Sequence, residues 1–159
     1  MRLHAELQET RYRGRLFALY CFVCVFVLGG VQAAPFTRIL LPQECHPAVR
    51  SAAAMLAEKA GLADDAVGSV QTVQPPAEGV LVLSVFPVSD AVENLLGDEG
   101  RSVAHDGYAI AFHGGGAVIA GRRPRSLLYA AGDWYQWKDR ESGVYVREPS
   151  FAIRSGERH

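Results

Sequence analysis

Apolar positions recur along the middle of the chain in two rhythms, one of period two and one of spacing three and four. Thr37 to Leu41 (TRILL) is a short β-prone run closed by Pro42. From Pro47 to Ala60, the residues Val49, Ala52, Ala53, Leu56 and Ala60 fall on one helical face, with Arg50, Glu58 and Lys59 off that stripe. Pro47 suits the first helical position, and Gly61 suits the left-handed residue that ends a helix. Val67 to Gln74 alternates as a strand until Pro75-Pro76 breaks it. Val80 to Phe86 (VLVLSVF) is nearly continuous in apolar residues, the pattern of a strand buried on both faces inside a sheet.

The second half continues the alternation. Ser89 to Leu96 predicts a short helix with Ser89 or Asp90 as its cap, and Gly97 to Asp106 reads as polar and turn-like. Tyr108 to Phe112 and Ala117 to Ala120 are two short strands around His113-Gly114-Gly115-Gly116, a hairpin signal. Arg122 to Arg140 predicts a second strong helix whose stripe is Leu127, Leu128, Ala131, Trp134 and Tyr135. Gly132 inside it costs about 1 kcal/mol against Ala, so it is expected to mark close packing of the helix on the sheet. Val144 to Val146 gives a last short strand. Hairpin strands together with two strong helices predict an α+β fold, a mixed β-sheet with two main helices packed on one face.

The start of the chain belongs to a different class. Leu16 to Leu28 (LFALYCFVCVFVL) is an uninterrupted apolar run preceded by Arg2, Arg11, Arg13 and Arg15 and followed by Gly29-Gly30-Val31-Gln32-Ala33-Ala34. A basic start, a short apolar core and a small-residue exit describe a secretory signal peptide at 1–33, cleaved after Ala33. The rival reading, an uncleaved anchor, needs about 20 apolar residues. The expected location is therefore secreted or periplasmic, without stable membrane association after cleavage. Cleavage also removes Cys21 and Cys24, which leaves Cys45 alone and excludes a module held by internal disulfides.

The remaining bounds are exclusions. A length of 159 residues accommodates one domain and not a barrel enzyme of about 250. Hydrophobic residues at 49% and charged residues at 21% exclude a disordered chain or a coiled coil. A formal net charge of −1 removes the electrostatic footprint of a nucleic-acid binder.

Candidate chemistry is sparse. His113-Gly114-Gly115-Gly116 has the letters of the oxyanion loop of esterases, but no G-x-S-x-G elbow accompanies it, and a hairpin turn accounts for it. Cys45-His46 would be a thiolate beside an imidazole; adjacent side chains rarely face each other, and the position just before a helix favours capping. His105, Asp106 and His113 fall short of a zinc ligand set. Asp98-Glu99, and the cluster Arg122, Arg123 and Arg125, read as solvated surface. Of the aromatic residues, Trp134 belongs to the core stripe, whereas Trp137 and Tyr145 are candidate platforms for a sugar ring. No catalytic, cofactor-binding or metal-binding residue is assigned.

A longer pattern crosses these segments: Gly107-Tyr108-Ala109-Ile110, then Gly116-Ala117-Val118-Ile119-Ala120-Gly121, then Arg125-Ser126-Leu127-Leu128-Tyr129-Ala130-Ala131. It resembles the non-catalytic domain that precedes the catalytic barrel in β-N-acetylhexosaminidases (glycoside hydrolase family twenty) and α-glucuronidases. There "gY-x-I" opens a hairpin, "v-I-x-G" closes it and "R-G-L-L-Y-G" begins a helix packed on the sheet. Ser126 and Ala130 stand here where small residues or Gly are usual. Glu58-Lys59-Ala60-Gly61 is similar to the "K-x-x-G" end of that family's Ala-rich helix, and Pro149-Ser150-Phe151-Ala152-Ile153-Arg154 to the segment leading into its barrel.

The resemblance implies an accessory domain at 34–148, and at 149–159 the start of a linker to a barrel that this chain lacks. It implies a link to carbohydrate metabolism, a catalytic glycosidase barrel as partner, and a chain inactive by itself. A docking role predicts an exposed apolar patch of several hundred Å². The alternative is a stand-alone secreted module that binds carbohydrate through Trp137 or Tyr145.

Overall fold

The computed structural model describes residues 36–148; the apolar run and its exit at 16–35, and the segment at 149–154, lie outside the described residues. Six strands form one sheet in the order β2-β1-β3-β5-β4-β6. These are β1 (Arg38–Pro42), β2 (Val67–Val70), β3 (Val80–Val85), β4 (Tyr108–His113), β5 (Gly116–Gly121) and β6 (Gly143–Arg147). β1 runs parallel to both β2 and β3, and β3 parallel to β5, while β4 lies antiparallel between β5 and β6. The sheet is mixed and the fold is α+β.

The helices are α1 (Pro47–Ala60), α2 (Asp90–Arg101, kinked at Gly97, which has non-helical geometry), α3 (Pro124–Gly132) and the single turn α4 (Trp134–Trp137). α1 and α3, the two main helices expected from the sequence, pack side by side on one face. There Ala52, Ala53, Leu56, Leu127 and Ala131 meet the strand residues Ile39, Leu83, Ile110 and Ile119. α2 adds what the sequence expectation lacked, a helix on the opposite face, where Val92 and Leu96 cover Val82, Ala109 and Val118.

Topology explains the short second strand. β1 reaches β2 through α1, and the chain must then return past β1 to β3. Two right-handed crossovers in opposite directions along a sheet lie on opposite faces. Residues 71–79 make the return without a helix. Val73 joins the α2 side of the core, so the segment expected to continue β2 as far as Gln74 leaves the sheet after Val70. β3 has the burial its sequence predicts: Leu81 and Leu83 face α1 and α3, and Val82 faces α2.

α1 has the predicted bounds, with Pro47 in its first turn and Gly61 left-handed after its end. The hairpin closes through Gly114 and Gly115, with φ of 58° and 78°. A two-residue turn with both φ positive is the type whose twist matches the strands, and glycine enters it without steric penalty.

The predicted helix 122–140 is interrupted. α3 ends at Gly132, Asp133 leaves helical geometry, and α4 follows for one turn. The buried face of α3 is Ser126, Leu127, Ala130 and Ala131, displaced from the predicted stripe, and Trp134 and Trp137 continue it seven positions after Leu127 and Ala130. Trp134 and Trp137 both turn inward, edge to face at 4.8 Å, while Tyr135 turns out and is 73% exposed. Gly132 is exposed, and a methyl group there would meet nothing. The close approach of helix to sheet is at Gly121 instead, where a Cβ would lie 2.9 Å from the Ser126 Cβ.

Candidate functional site

Adjacent parallel strands whose connections leave toward opposite faces open a crevice beyond their carboxyl ends. β1 and β3 are such a pair, since β1 leads to α1 on one face and β3 to α2 on the other. A cavity of about 400 Å³ lies there, a size typical of small-molecule sites. Its lining comes from the ends of β1 and β3 (Pro42, Ser84, Val85), the approach to α1 (Glu44, Cys45, His46), the start of the return segment (Gln71, Thr72, Val73) and the approach to α2.

Two polar groups of this lining are already engaged. The His46 Nδ1 accepts a hydrogen bond from the Ala48 backbone N–H at 3.1 Å and so caps α1. The Ser89 hydroxyl, at the cap position of α2, donates instead to the Val73 carbonyl at 3.0 Å and ties the return segment to that helix. Ser84 differs. It is 4% exposed, and among the described residues its hydroxyl makes no hydrogen bond, yet its oxygen is not sealed from the cavity. Cys45 is a free, half-buried thiol on the same wall. The sequence pointed to Cys45-His46 through their types alone. Ser84 carried no signal, because a serine in a β-branched run is unremarkable until its neighbours in space are known.

The other candidate residues are dispersed. His113 is exposed beside the hairpin turn and pairs across it with Gly116, so the esterase-like letters form a turn. Asp98 and Glu99 lie exposed in the last turn of α2, and Asp98 accepts from Arg101 at 3.3 Å. The arginine cluster is more engaged than a solvated face. The Arg122 Nε donates to the Val103 carbonyl at 2.8 Å, and its guanidinium stacks 4.4 Å from the Phe86 ring. Arg123 meets the ring nitrogen Nε2 of His105. Arg125 grips Asp106 through two hydrogen bonds of 2.7 Å, and this contact raises its pKa above the usual guanidinium value. Together the three arginines fasten the loop before β4 to the start of α3.

The platform expectation is corrected for Trp137. Its ring is fully buried, and its Nε1–H donates to the Ala130 carbonyl at 2.9 Å. Tyr145 is half-buried against the core, with Arg140 stacked 4.6 Å from its ring. Among the described residues the exposed large hydrophobic side chain is Tyr135, so large side chains form no docking patch of the expected size. No group of three or more metal-ligating side chains occurs among the described residues, and no helix there is long and apolar enough to cross a membrane.

Fold and crevice together define an α+β domain with a mixed six-stranded sheet and a small-molecule-sized hollow at the carboxyl edge of its parallel strands. No known family profile matches the chain, and no curated protein matches it. Among solved structures it is similar to CpGH84D, a glycoside hydrolase family 84 protein, with a TM-score of 0.44 and 12% sequence identity. The match covers 70% of this chain and 19% of CpGH84D, so the chain spans about a fifth of that structure's length.

Proposed function

We propose that this chain is an exported, non-catalytic accessory domain of a glycoside hydrolase, of the type found in β-N-acetylhexosaminidases or α-glucuronidases. It works beside a catalytic barrel. The observation that carries this reading is the ordered set of motifs. Tyr108–Ile110 (with Gly107 just ahead of the strand), Gly116–Gly121 and Arg125–Ala131 fall on β4, β5 and α3, and a hairpin followed by a helix is what the resemblance implies.

Within that unit the motif residues serve packing. The Tyr108 hydroxyl is bonded to Asp133, Gly121 receives Ser126, and Arg125 holds Asp106. With Tyr135 as the exposed large apolar side chain, the contact with a barrel is a polar one in this reading.

The purified chain is expected to leave aryl N-acetylglucosaminide and aryl glucuronide intact, and clear turnover of either would sink the reading. A catalytic-barrel reading frame joined to this one in the gene, or immediately after it, is the expected genomic finding. Export rests on the segment 1–33. N-terminal sequencing of the product in the extracellular or periplasmic fraction is expected to begin at Ala34.

A further inference from the structure

We propose that the crevice at the carboxyl ends of β1 and β3 binds a small uncharged ligand bearing hydroxyl groups, with the Ser84 hydroxyl as a buried polar contact. This goes beyond the accessory-domain reading and does not depend on it. A domain with no activity of its own is free to hold such a ligand, and turnover in a glycosidase assay would leave the crevice argument untouched.

The first support is Ser84 itself. Among the described residues the Ser84 hydroxyl has no partner, and its oxygen is open to the cavity, where water or a ligand hydroxyl can bond it. In Ser84 the unpaired group opens into a cavity large enough for a small molecule. A ligand hydroxyl there would both donate to and accept from it.

The charges around the cavity then select the class of ligand. α1 and α2 both begin at its wall, at His46 and Ser89, and helix N-termini carry partial positive charge that disfavours a cation. Pro124 brings the start of α3 to the same wall, and helix N-termini would draw an anion, but the acidic side chain among the lining residues, that of Glu44, opposes one. A neutral ligand satisfies both conditions.

The remaining groups suit one that donates as well as accepts. Gln71 and Thr72 offer an amide and a hydroxyl. With the His46 Nδ1 accepting from the Ala48 N–H, the other ring nitrogen is left as a potential donor. Val49, Val85 and Val88 supply apolar wall for a carbon frame. Hydroxyls on a compact carbon frame describe a polyol or a single sugar ring.

The test is a titration of the isotopically labelled full chain, followed by amide NMR shifts, with three probes of one shape: glucose, glucuronate and glucosamine. Glucose at millimolar concentration is expected to give saturable shifts at Cys45, Thr72 and Val85. The anionic and cationic sugars should each bind at least about tenfold more weakly. Ser84→Ala should weaken glucose binding by about tenfold or more while leaving the chain folded and no less stable. Thr72→Val, at an exposed position, gives a second reduction that is independent of folding. Absence of saturable crevice shifts, equal binding of either charged sugar, or undiminished binding by both variants overturns the proposal. Unfolding of Ser84→Ala does so too, because the hydroxyl would then have a structural partner.

Discussion

The hydroxyl of Tyr108 donates a 2.7 Å hydrogen bond to the carboxylate of Asp133, which joins the first residue of β4 to the break between α3 and α4. The same carboxylate oxygen pairs with the Arg147 Nε on β6 at 3.2 Å, and the Arg147 Nη1 donates to Gln136 at 2.6 Å. Asp133 therefore holds the interrupted helix against two strands. Tyr108→Phe removes a bond to a charged group, worth about 1.5–3 kcal/mol. Because Arg147 keeps a partner for the half-buried carboxylate, the loss in urea unfolding at neutral pH should fall at the lower end of that range.

The same pair sets an alkaline limit. Burial first, and then the bond to Asp133, push the Tyr108 phenol above its ordinary pKa of 10.0. The unfolded chain releases this proton at its ordinary value, and the folded chain keeps it. Above pH 10 the folded state thus binds more protons, and stability falls as pH rises, whereas below pH 10 the contribution is fully present. Unfolding measured at about pH 11 and at neutrality should show a shallower alkaline loss in Tyr108→Phe than in the parent chain.

Gly121 and Gly132 give opposite responses to the same methyl group. A Cβ on Gly121 would lie 2.9 Å from the Ser126 Cβ and 3.0 Å from the Arg123 carbonyl. Gly121→Ala should therefore lower stability by about 1–3 kcal/mol. Gly132→Ala meets open space at a helix end and should raise stability by about 0.4–1 kcal/mol. Thermal melts of the two variants side by side decide this; equal effects would contradict the placement of close packing at Gly121.

Trp137 and Tyr135 separate core from surface in the same way. Trp137→Ala opens a cavity under α3 and orphans the Ala130 carbonyl, at a cost of about 3–5 kcal/mol. Tyr135→Ala should stay within about 0.5 kcal/mol of the parent, as surface substitutions do. A large loss for Tyr135 with a small one for Trp137 would restore the stripe expected from the sequence.

His46 caps α1 with a ring nitrogen, a less common choice than a carboxylate. His46→Asp keeps an acceptor for the Ala48 N–H and adds a negative charge at the positive end of the helix. A gain of about 0.3–1 kcal/mol is expected at neutral pH, falling when the introduced carboxylate is protonated in acid. A pH series of chemical denaturation reads both effects.

Local chemistry made much of this protein legible in the sequence. The spacing of Val49, Ala52, Ala53 and Leu56, bounded by Pro47 and Gly61, determined α1 to the residue, because propensity, periodicity and both end signals agree there. Gly114-Gly115 between alternating strands determined the hairpin, since the turn conformation needs those residues. The α+β class followed from the order of such elements.

Tertiary packing decided the rest. Asp133 breaks the second helix where its carboxylate reaches Tyr108 and Arg147, which are 25 and 14 positions away in sequence and visible to no local pattern. The side of α3 that meets the sheet, marked by Ser126 and Ala130, is what buries Trp137 and exposes Tyr135. The crevice is likewise a product of topology. Ser84 lines one cavity with Cys45 and Thr72 only because β1 and β3 send their connections to opposite faces, and a sequence read along one dimension does not state which strands are neighbours.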